Sequence, residues 1–130
     1  MARWHLHLTL LPGEYTICRL AADTPAPAWA NGGPFVSVTR TADELSIVCL
    51  AERVPTGVLA DAGWRCLKVE GPFDLTAATG VLASIASPLA EADISLFALA
   101  TYDTDYILVH STDLERVRAA LVRAGHNVTE

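Results

Sequence analysis

The sequence predicts an α+β fold made of two half-size units in tandem, and three observations carry that expectation. The first is a repeat. Thr41-Ala42-Asp43-Glu44-Leu45-Ser46-Ile47 and Thr101-Tyr102-Asp103-Thr104-Asp105-Tyr106-Ile107 share Thr, Asp and Ile in place at an offset of sixty residues. The second is the order of patterns, since each half reads strand, turn, strand, helix, Gly, strand. The third is size: 130 residues, 52% apolar and 18% charged, can bury a substantial core. Four strands and two helices around a central hairpin make the βαββαβ, ferredoxin-like arrangement. Residues 1–63 form the first unit, with a degenerate first helix, and residues 64–130 the second.

Taken in order, Trp4–Leu11 alternates as a strand, with His5 and His7 on one face and Leu6, Leu8 and Leu10 on the other. It is an extra strand in the first half. Pro12-Gly13 turns the chain into a second strand, Tyr15–Leu20. Ala21–Pro34 is too rich in proline for a helix and reads as a loop with one helical turn around Ala28–Ala30. Phe35–Thr39 and Leu45–Leu50 make a hairpin across the turn Arg40–Glu44. Val54–Ala62 reads as a short helix, with Pro55 in its first turn and Gly63 as its stop.

Trp64–Val69 is the next strand, ended by Gly71-Pro72. Leu75–Ala92 is mainly helical, and Pro88 must kink it or start a new segment. Strands follow at Ile94–Ala100 and Asp105–His110. Asp113 or Thr112 caps a helix with Leu114, Val117, Leu121 and Val122 on its inner stripe. Gly125 ends it, and His126–Thr129 forms a last short strand. Leu59, Ala62 and Gly63 recur as Leu121, Ala124 and Gly125, two residues out of phase with the hairpin repeat.

Composition removes several classes of function. The formal net charge is −6, with one lysine, Lys68, and eight scattered arginines, so no basic cluster marks a nucleic-acid surface. Cys18, Cys49 and Cys66 sit in apolar runs, and their odd number without close spacing fits a reducing cytoplasm and no disulfide frame. The start has no long apolar region of a signal peptide, and no stretch approaches the roughly 18 apolar residues that cross a bilayer. His5 and His7 lack a third metal ligand in sequence, and zinc normally takes three or four protein ligands. The cysteines read as small buried hydrophobes, whereas a catalytic thiol needs a polar, partly exposed setting. No Gly-rich phosphate loop occurs. No catalytic residue, metal or cofactor is therefore expected.

The stretch WRCLKVEGPFDLTAATGVLASIASPLAEADIS (64–95) and the following LATYDTDYILV resemble tandem-ACT proteins related to the regulatory domains of aspartate kinases. LLPGEYTICRL and FVSVTRTADELSIVC extend the resemblance over nearly the whole chain, to a group that includes an animal cytosolic arginine sensor. Two departures stand out: Ala100 where a Ser is expected, and Leu50 where a Pro is expected. The resemblance implies an amino-acid-binding regulatory protein, with its ligand at the seam between units. It implies a regulated protein and a second copy of the chain as partners.

Within that frame the candidate ligand residues are Ser95, Thr101, Asp105, Gly71, Asp74 and Thr76. Asp103 suits a hairpin turn, as does its counterpart Asp43. Asp105 differs, because its counterpart is Leu45, so the turn can be made without this acid. On strand alternation Asp105 shares a face with Ile107 and Val109, at the rim of an apolar surface, where a carboxylate needs a cation. That cation is a ligand or one of the chain's own arginines. The resemblance implies ligand contact for Asp105, Ser95 and Thr101; strand-end hydroxyls also bond local backbone. The loop 71–76 leads into a helix whose first N–H groups suit a carboxylate near Thr76–Ala78, while Asp74 or Thr76 can equally cap it. A structural or protein-interaction module without a ligand is the alternative reading.

Overall fold

The computed structural model describes residues 4–74 and 78–130. Eight strands run as β1 (His7–Leu10), β2 (Tyr15–Leu20), β3 (Ser37–Arg40), β4 (Leu45–Leu50), β5 (Leu59–Val69), β6 (Phe97–Ala100), β7 (Asp105–His110) and β8 (Asn127–Thr129). The helices are α1 (Val81–Glu91) and α2 (Leu114–Arg123), with short 3-10 turns at Ala28–Ala30, Ala51–Arg53 and Ser111–Asp113. The result is an α+β fold. No helix of the described residues is long and apolar enough to cross a membrane.

The chain divides into two compact units, residues 12–64 and residues 1–11 with 65–130. In the first, β3, β4, β2 and the first half of β5 lie in that order, all antiparallel. Alternation puts Leu45, Ile47 and Cys49 on one face, where they are buried with Cys18 and Ala30. Trp29, from the 3-10 turn in the proline-rich loop, packs on that cluster.

In the second unit the order is β8, β1, the second half of β5, β7 and β6. β1 runs antiparallel to β5, with Leu8 opposite Val69, and parallel to β8, with Leu8 opposite Val128. The early strand that the sequence places in the first half is thus paired in this unit. Leu6, Leu8 and Leu10 are buried while His5 and His7 face solvent, as alternation requires. Val81, Ile85 and Leu89 of α1 and Val117, Ala120 and Leu121 of α2 bury against Leu67, Val69, Ile107 and Val109.

Five local expectations are corrected. Residues 54–62 are not a helix: Leu59, Ala60 and Asp61 pair with Arg19, Cys18 and Ile17 of β2. Their side chains are exposed, so a helix there would have no apolar face to bury, and short helices are marginal without one. Gly63, read as a helix stop, sits at φ 89° where the β2–β5 register shifts, and supplies a bulge. The strand expected from Ile94 starts at Phe97, because Ile94 turns into the core. Asp113 stands at the N-cap of α2 without a capping bond, and its carboxylate takes Arg116 at 3.0 Å instead. Val122 is 55% exposed, and Ala120 takes its place on the inner face.

α1 passes through Pro88 and continues to Glu91. A proline leaves the carbonyl four residues before it without its helical N–H, here that of Ser84. His126 Nε2–H donates to that carbonyl at 3.0 Å, while its Nδ1 accepts the Leu6 N–H at 3.0 Å. The ring is buried, and both its nitrogens are committed to backbone groups.

Candidate functional site

At one end of β7 the chain reverses through residues 101–104. The Thr101 N–H donates to the Thr104 carbonyl at 2.8 Å, and the Thr101 hydroxyl donates to the same oxygen at 3.0 Å. The hydroxyl also accepts the Thr104 N–H at 3.3 Å. Thr104 is buried, and its own hydroxyl donates to the Val69 carbonyl of β5 at 2.5 Å. The Asp103 carbonyl accepts the Phe73 N–H at 2.8 Å. These bonds fasten the turn to the strand beneath it and to the segment after Gly71. That segment passes so close that a Cβ on Gly71 would lie 3.1 Å from the Asp103 carbonyl.

Between the two lies a crevice of about 100 Å³. Phe73, Ala78 and Val81 form one side; Thr101, Asp103, Thr104 and Asp105 form the other. A neighbouring depression of about 170 Å³ shares Thr101, Asp103 and Thr104 and adds Lys68, Gly71, Pro72 and Tyr106. Asp105 stands on the same strand face as Ile107 and Val109, both fully buried, and is itself half-buried. Burial pushes its carboxyl above the ordinary carboxylate range. Among the described residues, no hydrogen bond or ion pair reaches that carboxylate. An acid held this way can take a cation at a smaller desolvation cost than one fully solvated, and gains a partner by doing so.

The structure therefore brings Thr101 and Asp105 into one crevice and Gly71 into the adjoining depression. Asp74 is exposed and lines neither; its carbonyl accepts the Ala78 N–H at 2.8 Å. Ser95 is exposed ahead of β6 and also lines neither. Thr76 lies outside the described residues. The Thr101 hydroxyl is committed to its own turn. Of the other walls, Phe73, Val81 and Thr104 are absent from the ligand residues expected from sequence, Ala78 enters there only as part of the helix start, and Asp103 only as a turn residue. GPFDLT, residues 71–76, reads in sequence as leading straight into a helix from Leu75, but α1 starts only at Val81, and nothing in sequence signals the pairing of Phe73 with Asp103. The sequence places a ligand at the seam between halves, whereas every wall of this crevice belongs to the unit of residues 1–11 and 65–130.

Elsewhere, burial pushes the Cys49 thiol up to about 11, with Cys18 beside it adding to the shift, and the Cys66 thiol up to about 12. These groups stay thiols at neutral pH. Among the described residues no cluster of His, Cys, Asp or Glu could hold a metal ion. His7 Nε2 instead pairs with the Thr129 hydroxyl at 2.8 Å.

Comparison with known proteins divides the chain near residue 58. The sequence model of the ACT domain matches residues 59–123, and one described as an N-terminal domain matches residues 13–57. The bovine protein named cytosolic arginine sensor for mTORC1 subunit 1 is 33% identical over 99 residues, covering 68% of this chain. The chain spans only 30% of the length of that relative. A crystal structure of a protein from Agrobacterium tumefaciens superposes with a TM-score of 0.92 at 48% identity, covering 98% of this chain and 95% of that one. The ligand-free regulatory subunit of aspartate kinase from Thermus thermophilus has a TM-score of 0.61 at 10% identity, covering 90% and 96%, which is a likeness of fold.

Proposed function

This chain belongs to the ACT domain family, and from that premise we propose that it is a non-catalytic regulatory module that binds an amino acid, with the ligand's positive end against Asp105. The observation that carries the reading is the Asp105 carboxylate: half-buried, without a partner among the described residues, and standing where the repeat has Leu45. A ligand cation supplies the charge that burial withholds. The apolar side of the crevice, Phe73, Ala78 and Val81, suits the methylene part of a long cationic side chain. α1 begins at Val81, which lines the crevice, and the free N–H groups of a helix start suit the carboxylate of such a ligand. The arginine sensor among the relatives supports an amino-acid ligand with a cationic side chain, and the aspartate kinase regulatory subunit shares the fold. Thr101 and Gly71 belong to the site as turn and backbone, Asp105 as the charge. A regulated protein and a second copy of the chain, in the cytoplasm, are the partners that fit this role.

The test is a thermal-shift screen of the twenty amino acids at millimolar concentration, on wild type and on Asp105→Asn. A site filled a hundredfold above its dissociation constant adds about 2.7 kcal/mol of stability. Arginine or lysine should raise the wild-type melting temperature and leave Asp105→Asn unmoved. No shift from any amino acid would leave the ligand-free interaction module as the reading, with partners that bind Asp105→Ala as well as wild type.

A further inference from the structure

Phe73 forms part of the crevice wall, yet it lies on a segment without regular structure, held to the turn through its N–H bond to Asp103. What fixes its ring comes from the other end of the sequence. Trp4 meets Phe73 edge to face, with ring centroids 5.8 Å apart and planes at 86°. The Trp4 indole N–H donates to the Thr79 carbonyl at 2.8 Å. A Cβ on Gly80 would sit 3.7 Å from the same indole nitrogen, so the ring lies flush with the chain just before α1. Trp4 is itself half-buried against the core of its unit.

We propose that Trp4, which lines no part of the crevice, is the residue that positions its aromatic side, by pinning both Phe73 and the Thr79–Gly80 entry to α1. The inference rests on the reading that the crevice takes an amino acid. Edge-to-face contacts are directional, and the indole N–H has one acceptor, so a single side chain sets two points of one wall relative to β1. With those points fixed in the free protein, ligand binding does not have to order them, and affinity rises accordingly. Linkage makes the effect mutual: a ligand that braces Phe73 also steadies Trp4 and the start of β1.

Hydrogen exchange on the full chain tests this, with Trp4→Leu and Trp4→Phe and with L-arginine as the probe ligand. Without probe, Trp4→Leu should speed exchange of the Phe73 and Ala78 amides by about tenfold while the Ile107 and Val109 amides of β7 keep their wild-type rates. Trp4→Phe keeps a ring but loses the N–H, so Phe73 should stay protected and Ala78 should loosen. If Trp4→Leu does not fold, that split in Trp4→Phe decides the matter alone. Unchanged Phe73 and Ala78 exchange in both variants would overturn the proposal. With probe, the dissociation constant should rise about tenfold in Trp4→Leu, from lost preorganisation; an unchanged constant overturns the positioning role. If L-arginine fails to protect even the wild type while the Trp4 effect on Phe73 stands, the anchor is upheld and the amino-acid reading is what fails.

Discussion

In the turn at 41–44 the Thr41 N–H donates to the Glu44 carbonyl at 2.9 Å, and at 101–104 the Thr101 N–H does the same to Thr104 at 2.8 Å. In both, the threonine hydroxyl accepts backbone N–H groups of its own turn, at 3.1 Å in the first and 3.3 Å in the second. In both, the carbonyl of the shared aspartate takes a donor from elsewhere: the Arg19 guanidinium on Asp43 at 2.9 Å, the Phe73 N–H on Asp103 at 2.8 Å. The difference lies one step on. Leu45 is wholly buried with Ile47 and Cys49, whereas Asp105 stands half-buried beside Ile107 and Val109. The duplicated frame comes from Thr, Asp and strand alternation; the second copy then puts an acid where the first has core.

The most severe way to break that comparison is to exchange the two positions. Leu45→Asp gives up a fully buried side chain, about 2 kcal/mol, and places a carboxylate in apolar surroundings without a cation, a further cost of about 2 kcal/mol or more. Against a total stability of about 5–15 kcal/mol the variant should be largely unfolded or marginal in urea titration. A cost under about 1 kcal/mol would mean the two strand faces are not equivalent after all.

Next comes the residue that closes each turn. Thr104→Val removes the buried bond to the Val69 carbonyl and should cost about 1–2 kcal/mol in chemical unfolding. Glu44 has only a distant surface pairing with Arg19, at 4.0 Å, so Glu44→Val should stay within about 0.5 kcal/mol. The reverse exchange, Asp105→Leu, should stabilise the chain by about 1 kcal/mol, because it restores an apolar side chain beside Ile107. It should also abolish any response to amino acids. Gain of stability with the response intact would detach the acid from the site.

Much of this was open to reading from the sequence. Tyr15–Leu20, Leu45–Leu50 and Asp105–His110 are short, largely apolar runs between turn signals, and the structure has those strands at those bounds. The offset of sixty residues singled out Asp105 against Leu45 before any geometry. What local pattern did not hold was pairing at a distance. Residues 59–62 carry two helix-favouring alanines between Pro55 and Gly63, but β2, some forty residues earlier, pairs with 59–61 as a strand. β1 joins β8 at the far end of the chain, which no alternation within Trp4–Leu11 could reveal. The site follows the same rule: Thr101 and Asp105 are neighbours in sequence and legible, whereas Phe73 joins them through one bond to Asp103. Ser95 looked like a strand residue until Ile94 proved to turn inward.

The smallest expected effect is one that only the second copy can show, because Leu45 does not titrate. Burial raises the Asp105 carboxyl, so the folded chain holds that proton more tightly than the unfolded one. The group therefore favours folding most below the ordinary Asp value of about 3.9, and the advantage is lost as pH rises through the raised folded value. Glu70 runs the other way. Its carboxyl is lowered, chiefly by the Thr9 hydroxyl donating at 2.7 Å, so its contribution is present above the ordinary Glu value and lost on acidification through the folded one. Subtracting wild type from Asp105→Asn cancels Glu70 and leaves Asp105 alone. That difference in unfolding free energy should grow in favour of Asn between about pH 3 and about pH 7. A bound cation pairs with the ionised carboxylate, so a saturating cationic amino acid should close the gap from the wild-type side at neutral pH and do nothing at acid pH. A difference flat across that range would mean Asp105 is as well solvated as any surface acid, and the contrast between the two turns would then carry no charge chemistry.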